Sequence, residues 1–213
     1  MGFKNKRILI TAGPTWVPID GVRVISNTAT GETGILLAKK LAALGAQVTL
    51  LLGPVGSCCI NKKIRLIRFK FFDELKNTLT REVRTKKYGV VVHSAAVADY
   101  RVQNTFRKKI SSKLKKFTLR LVSTKKLIDC IKKIDKGICL VAFKFEPQAG
   151  KEELLSEARS LLKRTDSDLV VANTVHGKKY CAYIVDEKFN TTVALDSKYK
   201  FVKSLISKVK NFI

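Results

Sequence analysis

Arg7-Ile-Leu-Ile-Thr-Ala-Gly-Pro14, Gly31-Glu-Thr-Gly-Ile-Leu-Leu-Ala-Lys-Lys-Leu-Ala-Ala-Leu-Gly45 and Val48-Thr-Leu-Leu-Leu52 follow one another near the start of the chain. The first is a short apolar run closed by Gly-Pro, which suits a buried strand ending in a turn. The second sets Ile35, Leu36, Ala38, Leu41, Ala42 and Leu44 at helical spacing, with Gly45 where a helix C-terminal glycine belongs. The third reads as another strand. Strand, glycine-containing connection, helix and strand make a βαβ unit, whose right-handed crossover puts both strands parallel in one sheet.

The alternation continues outward from this unit. Ile64 to Phe69 predicts a strand, Phe72 to Lys86 an amphipathic helix and Tyr88 to Val97 a strand. Lys125 to Ile134 then predicts a helix, Ile138 to Phe145 a strand, Lys151 to Arg164 a helix and Leu169 to Val175 a strand. The strand centres are continuously apolar, as expected when helices cover both faces of a sheet. The fold class is therefore α/β, a doubly wound, mostly parallel, Rossmann-like sheet. Two segments break the rhythm. Residues 101–122, with Lys109 to Val122 at their heart, read as a flap inserted after the fourth strand. Tyr180 to Val185 and Thr191 to Leu195 flank Asp186 to Asn190 as a C-terminal hairpin, and Tyr199 to Phe212 forms a closing helix. With no repeat, Pro-rich linker or low-complexity tract, residues 1–213 are expected to form a single domain.

Composition narrows the function. The chain has 213 residues, 46% of them hydrophobic, enough to bury a core. Its apolar runs fall far short of the roughly 20 residues needed to cross a bilayer. The basic stretch Met1 to Arg7 precedes an apolar run too short for a signal peptide, so a cytoplasmic protein is expected. Five cysteines, Cys58, Cys59, Cys130, Cys139 and Cys181, include no CxxC pair and read as reduced structural thiols.

The net charge of +25 is concentrated at the centre: residues 54–136 carry +17. Such a patch suits phosphates, either of nucleic acid or of a nucleotide and a phosphorylated substrate; solvated lysines are the plain alternative. No recognition helix, zinc knuckle or RNP motif accompanies the lysines, and aromatics are not interleaved with them for stacking. A basic nucleic-acid-binding or interaction protein that keeps the fold without catalysis is therefore the secondary reading.

In a doubly wound sheet ligands bind beyond the carboxyl ends of the strands, here the loops after Ile10, Val92, Val141 and Val171. Gly31-x-x-Gly34 suits either anion binding at a helix start or close packing of that helix. No acidic residue ends the second strand, which disfavours dinucleotide use. The fourth strand runs into Ser94-Ala-Ala-Val-Ala-Asp-Tyr100, small residues leading to a carboxylate. Asp99 is a candidate for Mg²⁺ or a ribose hydroxyl, or a simple turn cap. His93 and His176 lack any hydrolase-triad context and read as strand or loop residues.

Taken together, Ile8-Leu-Ile-Thr-Ala-Gly13, Pro18-Ile-Asp20, Ile25-Ser-Asn27, Thr30-Gly31, Ser94-Ala-Ala-Val-Ala-Asp99, Lys109-Ile-Ser-Ser112, Ala142-Phe-Lys-Phe-Glu146 and Asp168-Leu-Val-Val-Ala-Asn173 resemble the phosphopantothenoylcysteine synthetase (phosphopantothenate-cysteine ligase) family of coenzyme A biosynthesis. The resemblance implies a ligase that joins 4′-phosphopantothenate to L-cysteine. A nucleoside triphosphate, CTP or ATP, activates the carboxylate as an acyl-nucleotidyl intermediate, and Mg²⁺ assists. It implies catalytic roles for Asn27 and Lys109, with Asn27 and Gly31 on the substrate. It also implies nucleotide contacts from Ala95, Ala96, Asp99, Lys109, Leu127, Ile128 and Phe143, with Asp99 near the metal or ribose.

Further expectations from the resemblance are a homodimer, and a stand-alone synthetase with no flavin of its own, since many bacterial members carry a fused flavin-dependent decarboxylase. Departures from the bacterial pattern fall at Ala29, Thr33, Lys125, Lys126 and Thr165, and the flap sequence Lys109-Ile-Ser-Ser112 is closer to the eukaryotic and some archaeal forms. These bear on CTP versus ATP.

Overall fold

The computed structural model describes residues 2–177, 179–188, 190–192 and 195–213. The opening βαβ unit is present: β1 (Arg7–Ala12), α1 (Glu32–Ala43) and β4 (Gln47–Leu52), with the short antiparallel pair β2 (Trp16–Pro18) and β3 (Val24–Ser26) inside the first connection. β5 (Arg65–Arg68), α2 (Phe72–Lys86) and β6 (Val90–His93) follow. β7 (Tyr100–Val102) and β8 (Leu121–Ser123) lead to α3 (Ile131–Ile134), β9 (Cys139–Phe145), α4 (Lys151–Thr165), β10 (Leu169–His176), β11 (Lys179–Asp186) and α5 (Lys198–Val209). The main sheet has the order β11-β10-β9-β6-β1-β4-β5, parallel throughout except that β11 runs antiparallel to β10.

Alternation along the strands divides the core in two. Ile8, Ile10, Val48, Leu50, Val90 and Val92 face α1 and α5, where Leu37, Leu41, Phe201 and Leu205 are buried. Leu9, Leu51, Val91 and Leu140 face α2 and α4, against Leu75, Leu79, Leu154 and Ala158. Because both faces are covered, the strands have no polar side to show, which is why their sequences are apolar without a break. Each such side chain contributes about 1.5–3 kcal/mol on burial, and β1 lies inside the sheet between β6 and β4 with Ile8, Leu9 and Ile10 at 0% exposure.

Three expectations are refined. The strand expected over Tyr88 to Val97 ends at His93. Beyond it the chain stays beside the loop after β1 through Ser94 N–H to Thr11 O, Ala96 N–H to Gly13 O and Thr15 N–H to Ala96 O, so that Pro14 and Ala96 still form an isolated parallel bridge. The helix expected over Lys125 to Ile134 is a 3-10 turn, Leu127–Cys130, leading into α3. Leu127, Ile128 and Ile131 all turn into the α2/α4 core, and Lys126 is drawn aside by Asp99.

The hairpin expected between Tyr180 to Val185 and Thr191 to Leu195 exists as two antiparallel bridges, Val185 with Thr191 and Ala182 with Leu195. The longer pairing of its first arm is with β10, from Leu169–Asp186 to His176–Lys179. Phe189, Val193 and Ala194 of that expectation lie outside the described residues.

Residues 103–120 run out from the body as an excursion closed at its neck by antiparallel β7 and β8. It is pinned to the loop between β2 and β3: Ile110 N–H donates to Asp20 Oδ2 at 3.0 Å, Arg23 Nη1 donates to Ile110 O at 3.1 Å, and Phe106 N–H donates to Ile19 O at 2.9 Å. The backbone hydrogen bond from Ile110, with others from Val22 and Arg23 and the Arg23 charge, outweighs burial and pulls the Asp20 carboxyl down to about 2.

Candidate functional site

The chain runs from β1 to β4 on one side of the sheet centre and from β5 back to β6 on the other. Above that reversal, at the carboxyl ends of β1, β6, β9 and β10, lies an open cleft of about 790 Å³. Its floor begins at Gly13 and continues through His93 to Val97.

Small residues let the floor and the helix behind it close together. A Cβ on Gly34 would stand 2.5 Å from Ala12 Cβ and 2.9 Å from Ser94 Oγ, so this glycine is a packing position for the first turn of α1. Gly31, with φ +71°, turns the chain left-handed into that helix and lines the cleft. Close packing, one of the two uses open to Gly31-x-x-Gly34, is seen at Gly34.

Beneath the floor Thr11 organises the strand ends. Its hydroxyl lies 3.0 Å from His93 Nδ1, and Ala95 N–H donates to the same oxygen at 3.2 Å. Ser94 Oγ donates to Thr11 O at 2.7 Å. Burial pushes the His93 imidazole down to about 4, so the ring is neutral at pH 7. The neutral ring and the Thr11 hydroxyl share one proton across this contact, and the Thr11 oxygen also receives Ala95 N–H.

Asn27 follows β3 and reaches back over this floor, donating from Nδ2 to Ala96 O at 3.2 Å. That bond uses one of its two amide N–H groups and holds the side chain at the cleft. Asp99 stands at the rim in an ion pair with Lys126. Arg164, on the last turn of α4, pairs with Asp129 and also lines the cleft. Lys144 bridges Glu146 at 2.8 Å and Glu157 at 2.9 Å, and Lys198 at the start of α5 pairs with Glu32 in α1.

Asn27, Gly31, Ala95, Ala96, Asp99, Leu127, Ile128 and Phe143 are thus brought together around one cleft. Lys109 is not among its lining residues; it is exposed on the flap, next to the Ile110 anchor. Sequence reasoning missed His93, Lys126, Arg164, Asn173 and Tyr180, all of which line the cleft. Arg164 had a readable signal, since it adjoins Thr165, where a lysine is common in the resembled family. Thr165 itself is buried and donates its hydroxyl to Leu161 O at 2.7 Å, while the guanidinium one residue earlier meets the cleft.

The class the fold and cleft define is a doubly wound α/β domain with small residues and cations gathered over the strand-order reversal. Residues 3–212 match the family described as the DNA/pantothenate metabolism flavoprotein C-terminal domain, and the chain belongs to that family. It is 40% identical over 175 residues to the coenzyme A biosynthesis bifunctional protein CoaBC of Thermococcus kodakarensis, a match covering 81% of this chain and 42% of that protein. The chain therefore spans less than half the length of that relative.

Among solved structures, the DNA/pantothenate metabolism flavoprotein from Streptococcus pneumoniae superposes with a TM-score of 0.87 at 24% identity, over 98% of this chain and 100% of that one. A Cab2 mutant in complex with phosphopantothenate-cysteine gives a TM-score of 0.79 at 19% identity, over 98% and 88% respectively. Both share the fold. Among the described residues no helix is long and apolar enough to cross a membrane.

Proposed function

We propose that the chain is a phosphopantothenate-cysteine ligase that uses CTP or ATP. The observation that carries this reading is the convergence of Asn27, Gly31, Ala95, Ala96, Asp99, Leu127, Ile128 and Phe143 on a single cleft at the strand-order reversal. Those positions come from four separate stretches of sequence, and only the folded sheet unites them. Relatives named for coenzyme A biosynthesis and a fold neighbour holding phosphopantothenate-cysteine support the same substrate class.

The reaction has two steps. A carboxylate oxygen of 4′-phosphopantothenate attacks the α-phosphorus, and the bond to pyrophosphate breaks. The cysteine amine then attacks the acyl carbon, the nucleoside monophosphate leaves, and one proton is lost as the amide forms. Both steps build charge on phosphoryl or acyl oxygens, which preoriented N–H donors and cations stabilise. In this reading Asn27 donates its remaining amide N–H to the acyl phosphate, a role supported by the bond to Ala96 O that fixes its orientation. Ala95 and Ala96 give the ligand close access to backbone, and Lys125, Lys126 and Arg164 face the cleft as counter-charges for phosphates.

Asp99 is the residue that would hold Mg²⁺. Its side chain is 60% exposed at the rim, and a single carboxylate with substrate phosphates and water is an ordinary magnesium site. Bound there, the ion would neutralise triphosphate charge, and Lys126 would be released toward the phosphates. Lys109 belongs to this reading as a residue that the flap carries to the phosphates.

The same reading includes a homodimer, supported by exposed Val24, Ile25, Tyr100 and Leu121 on the two small sheets beside the flap neck. A cytoplasmic setting is supported by five thiols in unpaired form. The test is pyrophosphate release with Mg²⁺ and CTP or ATP. Release that requires 4′-phosphopantothenate is the expected result; no release with either nucleotide would refute the ligase assignment.

A further inference from the structure

At the floor of the cleft β6 separates from one of its two neighbours and keeps the other. β9 runs on to Phe145, but its ladder with β6 stops at the pair His93–Ala142. On the β1 side the bonding goes on: Ser94 N–H donates to Thr11 O, Ala96 N–H donates to Gly13 O, and Pro14 bridges Ala96. Phe143 and Phe145 on one side and Ala95 to Val97 on the other then border the same open space.

A side chain accounts for the separation. Successive N–H groups of a strand point to opposite neighbours. Those of Ser94 and Ala96 go to the β1 side, so that of Ala95 belongs on the β9 side. It is instead taken by Thr11 Oγ1 at 3.2 Å, and three residues on Ala98 N–H is taken by Thr15 Oγ1 at 2.9 Å. Threonine hydroxyls compete with sheet ladders for backbone donors in this way. Both threonines are 0% exposed, where a donor or acceptor left unpaired is costly. Thr11 is held further by His93, its partner across the β1–β6 pair, whose Nδ1 lies 3.0 Å from the same oxygen.

The path fixed between Ala95 and Ala98 carries Ala96 O. That carbonyl accepts Thr15 N–H at 3.2 Å and Asn27 Nδ2 at 3.2 Å. Asn27 is exposed in the connection after β3, and Ala96 O is the acceptor that holds its amide over the cleft. Thr11 is not among the residues that line the cleft. Whatever it does for a bound ligand, it does through the chain it holds.

Resting on the ligase reading, we propose that Thr11 is the positioning residue for Asn27. Its hydroxyl, restrained by His93, draws Ala95 away from β9 and so sets the place of Ala96 O and of the amide bound to it. Without the hydroxyl, Ala95 N–H turns toward the edge of β9 that β6 leaves unpaired, and Ala96 O moves with it. A misplacement of about 1 Å in an orienting group can cost a hundredfold in rate. Substrate affinity rests on the rest of the cleft and is retained.

Steady-state formation of 4′-phosphopantothenoyl-cysteine by Thr11→Val, which keeps the side-chain shape and removes the hydroxyl, tests this. Its kcat is expected to fall about 10- to 100-fold, with KM for nucleotide and for 4′-phosphopantothenate within about twofold of the parent values. Thr11→Ser keeps the oxygen and should recover most of the rate. In an Asn27→Ala background there is no amide left to position, so adding Thr11→Val should change the residual rate by less than about twofold. A merely structural role would give the same loss in both backgrounds. Thr11→Ala removes the same oxygen and takes the place of Thr11→Val throughout if the valine variant does not fold.

A parent-like kcat in Thr11→Val, a serine variant as slow as the valine one, or an equal loss with and without Asn27 would overturn the proposal while leaving the parent's phosphopantothenate-dependent pyrophosphate release intact. Absence of that release from the parent would overturn the ligase reading itself and this assignment with it.

Discussion

At the ends of β1 and β6, Thr11 and His93 are buried and Ser94 is half-buried, all three locked together by hydrogen bonds of 2.7–3.0 Å. Residues 103–120 of the flap, at the same end of the molecule, are nearly all exposed and are tied to the body through Asp20, Arg23 and Ile19. The flap carries Arg107, Lys108, Lys109, Lys113, Lys115, Lys116 and Arg120 with no acidic residue. One region is rigid because strand burial holds it; the other depends on a few anchors and repels itself. The contrast assigns different tasks to the two regions. Orientation of the reacting groups belongs to the strand ends, and neutralisation of phosphate charge belongs to segments that can shift when phosphate arrives.

Disabling the rigid side should do the greatest harm. Asn27→Ala removes an oriented donor and should lower kcat by about 10²–10³-fold, the range for losing one donor to a developing oxyanion, with the melting temperature little changed. Steady-state turnover near that of the parent would place the chemistry elsewhere.

The buried His93 gives the rigid side a pH signature. Its imidazole titrates near 6.5 when unfolded and at about 4 when folded. Between those values the unfolded state binds the extra proton, so stability is full above pH 6.5 and falls as pH drops toward 4. The total is about 3 kcal/mol from this group. Denaturant titrations at pH 7 and pH 4.5 would show it, and a His93→Gln variant should lose much of that dependence.

Lys109 sharpens the comparison from the flap side. If the flap closes on phosphate, Lys109→Gln should raise the nucleotide KM by roughly 10- to 150-fold, as for a lost charged hydrogen bond of about 1.5–3 kcal/mol. Unchanged kinetics would leave Lys109 as a solvated lysine on a flap that stays where the structure has it.

The smallest effect expected is that of Asp20→Asn. It weakens the charge-assisted acceptor of Ile110, Val22 and Arg23, so limited proteolysis within residues 103–120 should speed up while the sheet core remains protected. Combined with Lys109→Gln its kinetic effect should be less than additive, because both act through the flap.

The same contrast explains what the sequence reveals. β1, β4, β6, β9 and β10 are covered on both faces, so their apolar runs are unbroken and locate them within a residue or two, apart from the C-terminal end of β6. Asn27, Ala95, Ala96 and Asp99 sit in short blocks next to those strands and can be read with them. The end of the regular strand at His93 is hidden because the Ala95 and Ala98 N–H groups are taken by Thr11 and Thr15, hydroxyls that look like ordinary strand-end residues. Asn173 and Tyr180 were hidden for another reason. Their proximity depends on the antiparallel pairing of β11 with β10, whereas local patterning of residues 180–195 pointed to a hairpin with the later arm. Arg164 at the cleft likewise follows from where α4 ends against the sheet.

The most direct test of the strand-end cleft as a ligase site is mass-spectrometric detection of product from the chain incubated with 4′-phosphopantothenate, L-cysteine, Mg²⁺ and CTP or ATP. The account predicts 4′-phosphopantothenoyl-cysteine and pyrophosphate in equal amounts, and the loss of both with Asn27→Ala. Absence of that product with either nucleotide, from protein shown to be folded, would contradict it.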